Sequence, residues 1–216
     1  MIRQGQEEKL GVEVRDAKRK LPAERHGELL AMAVEISAAE GLSAVTLRRV
    51  ASALGVTPGL VSHYFSSAEQ LITAAFRTAA VADLAEARAR VADAATPTAK
   101  MAALMDYVLD ESSEDASALW LDAWSLGRRN EALADEANSL TDQWLECIAD
   151  IVCSGIGSGE FRVADPDVAS RRLLTMIDGL GAQMVVRAVP SAEAKHIARS
   201  YFTSELGIDT RVERTR

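Results

Sequence analysis

Thr57, Pro58, Gly59, Ser62 and His63 stand in the run "VTPGLVSHYF", where they can bind a polyanion but have no partners for catalysis. The Thr57 hydroxyl and the free amides beside it at a helix start form an anion site suited to a phosphate. Pro58 and Gly59 are small enough to allow close approach, and Ser62 and His63 reach base edges or sugars. Arg48, Arg49 and the clustered Lys18, Arg19 and Lys20 add a basic face. Catalysis finds no comparable set. His26, His63 and His196 are far apart in sequence, no His and Cys group has metal-ligand spacing, and neither a Ser elbow nor a phosphate-cradling glycine loop occurs. "GIGSG" has the wrong flanks for a dinucleotide fingerprint. The expectation is a binding protein, not an enzyme, with no cofactor and no metal.

The elements that must carry these residues are short helices. Leu47 to Leu54 places Leu47, Val50, Ala51 and Leu54 on one face and leaves Arg48, Arg49 and Ser52 outside, with Thr46 as its cap. Gly55 turns the chain, Thr57 caps the next helix, and Val56, Val61 and Phe65 point inward. Isolated helices of this length are marginal in water, so the pair must dock on a third helix, expected from Pro22 or Ala23 to Glu40 with Gly41 as its stop. Two docked short helices joined by a tight glycine turn have the signature of a helix-turn-helix, whose second helix enters a DNA major groove. Residues 1–21 read as a mobile arm. The bland alternative is a pair of ordinary core helices.

Further helices are expected from Ser67, in a capping box "SAEQ", to about Ala94, then from Thr96–Thr98 through Leu109, and over about Ala116–Arg129, Glu131–Gly155, Asp167–Val189 and Ser191–Leu206. "SGIGSGEFRVADPD" and "AVPSAE" read as loops. An alanine-rich chain with 5% aromatics and five prolines favours an all-α fold. No stretch is apolar enough to span a membrane and no secretory signal opens the sequence, so a cytoplasmic protein is expected. Cys147 and Cys153, six apart in one helix, lie about 9 Å apart in rise, too far for a disulfide.

The net charge of −8 opposes DNA binding until it is divided. Through Phe65 nine Lys and Arg stand against eight Asp and Glu, and beyond it 15 stand against 24. The acidic remainder is thus separate in sequence from the basic cluster.

The run "LLAMAVEISAAEGLSAVTLRRVASALGVTPGLVSHYFSSAEQLITAAF" resembles the DNA-binding domain of TetR-family transcriptional repressors. "SHYF", "LWLDAWS" and "SGEFRVADPDVASRRLLTMIDGLGAQ" look like its BetI-like branch. The resemblance implies an all-α homodimer of about nine helices. Its N-terminal three-helix helix-turn-helix domain would span 22–66, and a larger ligand-binding and dimerisation domain 67–216. Carried onto this sequence, DNA contacts fall on Thr46, Arg48, Arg49, Thr57, Pro58, Gly59, Ser62, His63 and Tyr64, with Lys18 and Arg19 in an arm reaching an adjacent groove. The family usually has Lys after its Ser where this chain has Ala68, so one phosphate contact is missing.

The implied activity is that of a ligand-responsive repressor, binding a palindromic double-stranded DNA operator as a dimer and released by a small-molecule effector. Trp120 and Trp124, four apart, share a helix face. With Met101, Met105, Tyr107, Trp144, Met176 and Gln183 they form the expected ligand set, Gln183 serving either as a pocket contact or as an interface hydrogen bond, and Asp106 or Asp122 could hold a cation beside the rings. Aromatic core packing is the plainer reading of the same residues. Gly179 and Gly181 mark a tight helix contact, which fits a two-fold bundle through about 167–206 or close packing within one subunit. A helical adaptor that reuses the fold to bind a protein partner is the alternative function.

Overall fold

The computed structural model describes residues 21–208; the basic cluster at Lys18, Arg19 and Lys20 lies outside them. The described residues form nine α-helices and no strand: α1 (Pro22–Glu40), α2 (Leu47–Leu54), α3 (Pro58–Tyr64), α4 (Ala68–Ala92), α5 (Pro97–Val108), α6 (Glu114–Gly127), α7 (Glu131–Ser158), α8 (Pro166–Val185) and α9 (Ser191–Glu205). Short 3₁₀ turns, Leu42–Ala44 and Glu111–Ser113, precede α2 and α6. No described helix is long and apolar enough to cross a membrane.

Every proline marks a helix start. Pro22, Pro58, Pro97 and Pro166 open α1, α3, α5 and α8, and Pro190 immediately precedes α9. The missing N–H costs nothing there, because the first-turn amides have no helical acceptor. Side-chain caps satisfy other first-turn amides: Thr46 accepts from the Arg49 N–H at 3.0 Å, Thr57 from Leu60 at 3.3 Å, Thr96 from Ala99 at 3.2 Å and Asn130 from Leu133 at 3.1 Å. The box at α4 closes differently from expectation. Ser67 accepts the Gln70 N–H, but the Gln70 carboxamide oxygen takes the amide of Ser66, one residue further back.

Two boundaries also differ. The helix predicted to stop at Gly155 continues to Ser158, and Gly155 is packed under the Phe161 ring, which leaves no room for a Cβ. The first glycines of the expected loop are therefore helical, and the turn falls at Gly159, φ 79°. α8 ends at Val185 instead of Val189. Arg187 takes the left-handed conformation at φ 57°, and the Ala188 N–H returns to the Gln183 carbonyl, reversing the chain before Pro190.

Three apolar clusters hold the helices. Leu29, Ala33, Ile36, Val50, Ala51, Val61 and Phe65 bind α1, α2 and α3 together, and Leu71 and Ala75 of α4 complete that core. A second cluster joins Phe76 and Ala80 of α4 to Ala123, Leu133 and Leu140, and Leu42 belongs to it. The third and largest joins α4, α5, α7, α8 and α9. α4 runs through all three and is the spine of the molecule.

Candidate DNA-binding face and effector cavity

α2 and α3 are short enough that almost every side chain is either a core contact or an outward group. Val50, Ala51 and Val61 are buried, while Arg48, Ser62, His63, Thr57, Pro58 and Gly59 are exposed. Gly55 makes the turn in the left-handed conformation at φ 64°, and the Val56 N–H closes on the Ala51 carbonyl. The Ser62 hydroxyl donates within its own helix, toward the Pro58 carbonyl at 3.1 Å, so contact with DNA requires it to rotate.

Arg49 is engaged on this surface. Its guanidinium bonds the Glu40 carboxylate at the end of α1, a bond that lowers the carboxylate's proton affinity and raises that of the guanidinium. Tyr64 is partly buried, with its ring edge-on to His63 at 5.2 Å and to His26 at 6.3 Å. His26 itself stacks on Phe65 at 4.8 Å. The α3 terminus is thus braced against α1 by rings, a contact with no local signal because His26 lies a helix away in sequence.

The second concavity lies between α4, α6, α7 and α8, beside the end of α5. Trp120 and Trp124 line it from α6, Trp144 from α7, Asp83 from α4, and Asp178 and Gly181 from α8. The α6 tryptophans are 5.8 Å apart between ring centroids, and the Phe76 ring meets Trp120 edge to face at 5.2 Å. α8 comes close because Gly181 has no side chain: a Cβ would stand 2.8 Å from the Ser117 hydroxyl. Gly179, by contrast, faces open space, so the close approach expected of both glycines occurs within this chain only at Gly181.

Among the described residues, two carboxylates reach the cavity and no basic side chain lines it. Burial pushes Asp178 up to about 6. Burial also raises Asp83, opposed by the Tyr107 phenol, which donates to Asp83 Oδ1 at 2.7 Å. Burial and the same bond hold the Tyr107 proton well above its ordinary range. Trp144 Nε1 is buried without a hydrogen-bond partner.

The structure places the other predicted ligand residues elsewhere. Met101 and Met105 are core side chains of the largest cluster. Met176 faces a surface groove across α7, α8 and α9, and Gln183 is exposed on α8. Asp106 pairs with Arg199 at 3.3 Å on the outside, and Asp122 accepts the Leu42 N–H at 2.7 Å, so the carboxylates expected beside the rings are committed elsewhere. Asp83 and Asp178 stand in the cavity instead. Sequence reasoning missed both, because each is one acid among many on a helix whose rotation is set by packing. Within the described residues no group of acidic, His and Cys side chains is arranged to hold a metal.

Comparison with known proteins agrees with this architecture. Residues 29–75 match the bacterial regulatory proteins of the tetR family, and residues 97–207 match the BetI-type transcriptional repressor C-terminal family. The HTH-type transcriptional regulator BetI of Rhizobium meliloti is 33% identical over 50% of this chain and 54% of its own length. BetI of Ectopseudomonas mendocina is 27% identical over 84% of this chain and 93% of its own. Among solved structures, a regulator from Saccharomonospora viridis in complex with choline superposes with a TM-score of 0.78 at 23% identity, covering 87% of this chain and 99% of that one. With the helix-turn-helix at one end, the BetI-type helices at the other and a family match over half of the sequence, the chain belongs to the TetR family of transcriptional repressors, with a BetI-type C-terminal region.

Proposed function

We propose that the protein binds a palindromic operator as a cytoplasmic homodimer and leaves it when a small organic cation enters the cavity between α4, α6, α7 and α8. Residues 22–66 bind DNA through Thr46, Arg48, Arg49, Thr57, Pro58, Gly59, Ser62, His63 and Tyr64, with Lys18 and Arg19 preceding them. Residues 67–216 bind the effector and pair the subunits through about 167–206. The two α3 helices then enter major grooves roughly 34–36 Å apart. Since an effector shifts the equilibrium only by its differential affinity for the two states, it must fit the cavity better when the DNA-binding ends are misaligned.

The observation that carries the cation reading is the cavity's charge. Asp83 and Asp178 stand among Trp120, Trp124 and Trp144, with no Lys, Arg or His in the lining among the described residues. Aromatic faces attract a cation through their quadrupole, and more strongly once water is excluded. The choline bound in the complex of the Saccharomonospora viridis regulator is a cation of this chemistry.

Fluorescence anisotropy of DNA from upstream of the protein's own gene, against a scrambled duplex at two salt concentrations, tests the first half. Choline and its neutral tert-butyl isostere test the second. Salt-sensitive preference for the upstream DNA, with release by choline and not by the isostere, is the expected result. Equal release by both compounds would remove the charge argument.

A further inference from the structure

We propose that Asp122 is a positioning residue that couples the cavity to the DNA-binding face, so that each sets the other's geometry. The inference rests on the functional reading of those two sites. Asp122 sits on α6 between the cavity residues Trp120 and Trp124, and its Oδ2 accepts the Leu42 backbone N–H at 2.7 Å, across 80 residues of sequence. Leu42 begins the 3₁₀ turn that leads into Thr46 and α2.

The backbone is shaped for this contact. Gly41 adopts φ 86°, and a Cβ on it would stand 2.8 Å from the same carboxylate oxygen. Only glycine gives both the torsion and the space.

A second contact is independent of the hydrogen bond. The Leu42 side chain, fully buried, leaves the three-helix core and packs with Phe76 and Ala123 in the cluster beyond it. Phe76 in turn meets the Trp120 ring. The turn that delivers α2 is therefore held by α6 at two points, an amide and a side chain. A hydrogen bond to a charged acceptor is short and directional. When an effector displaces Trp120 and Trp124, Asp122 moves with their helix, and the turn either follows or loses its bond. Packed contacts of this kind switch between discrete arrangements.

Coupling between sites is reciprocal. Whatever an effector does to α2 and α3 through Asp122, DNA must do in reverse to the cavity tryptophans, so the device can be tested without the effector. The sequence has three tryptophans, all in the cavity wall. A duplex is selected from a random-sequence pool with the wild-type protein, then titrated into wild type, D122A and D122N while tryptophan emission and labelled-DNA anisotropy are recorded.

In wild type the emission is expected to change with the same midpoint as the anisotropy. In D122A the DNA still binds but the emission change shrinks at least about fivefold. D122N, which keeps an oxygen acceptor, retains most of the change. An equal emission change in wild type and D122A would overturn the proposal, as would a wild-type protein that binds DNA with no emission change. Selection of no duplex at all would instead overturn the DNA-binding reading beneath it. Should D122A fail to fold, D122L, which keeps the branched side-chain outline and offers no acceptor, takes its place under the same criteria.

Discussion

The α2–α3 face takes its proposed DNA contacts from one continuous run, Thr46 to Tyr64, whereas the cavity draws its wall from helices spread between Asp83 and Ala182. On the face, groups three and four residues apart point the same way, so the exposed set and the buried set are both fixed by a local periodicity. In the cavity, a group is inside or outside according to how one helix is rotated against three others. The face, as proposed, would exchange its solvent for an anion; the cavity already holds two carboxylates partly out of water. Substitutions on the face should therefore change binding with little effect on stability, while substitutions in the cavity change both.

The largest expected effect is at Asp178. A carboxyl raised to about 6 by burial favours its neutral form in the folded protein. Its contribution to stability is complete below the ordinary aspartate value and is lost as pH rises through about 6. By pH 7 the folded protein has lost on the order of 3 kcal/mol relative to its stability below the ordinary aspartate value. Urea unfolding of the effector-free protein should show stability falling from pH 5 to pH 7.5, with D178N much flatter and only the smaller Asp83 contribution remaining. Choline binding should run the other way, strengthening as pH rises through 6 and weakening strongly in D178N. Identical pH profiles for the two proteins would mean that Asp178 is not held out of water.

Next in size is R48A with H63A. Losing one outward contact from each helix should weaken operator binding about a hundredfold and leave thermal unfolding and choline binding unchanged. Unaltered DNA affinity would show that another surface meets DNA.

T57A sits between the two regimes, since Thr57 both caps α3 and lies at its proposed phosphate site. Loss of the cap costs about 1 kcal/mol, and operator affinity should fall with it. A variant with unchanged affinity but a lower melting temperature would confine Thr57 to capping.

The smallest effect concerns Arg49, whose charge is already paired with Glu40. E40Q should release it and steepen the salt dependence of DNA binding by at most about one unit; R49A should flatten it by a similar amount. Unchanged slopes in both variants would keep Arg49 away from phosphate.

Much of the N-terminal third is legible in the residues alone. Thr46 and Thr57 as caps, Gly55 as the turn, Pro22 and Pro58 as helix starts, and the outward set from Arg48 to His63 all follow from rules that operate within a few residues. The helix order along the described residues follows for the same reason. Legibility ends where a residue's neighbour is distant. Gly155 has the local look of a loop residue, yet it is helical and its lack of a side chain serves the Phe161 ring packed on it. Met101 and Met105 share a helical spacing with ligand-facing residues, but packing gives them to the core. Nothing near His26 in sequence signals that it braces Phe65 and Tyr64.

The sequence by itself determined an all-α chain, the boundaries of most helices, the helix-turn-helix and the family resemblance, because backbone caps, turns and apolar periodicity are local and repeat at fixed spacing. Only the tertiary structure decided which acids reach the cavity, why Gly181 lies on its wall and where Asp122 takes hold of Leu42. Those contacts depend on the relative rotation and approach of helices tens of residues apart, and that geometry is fixed by the packed core as a whole, not by any stretch of sequence within it.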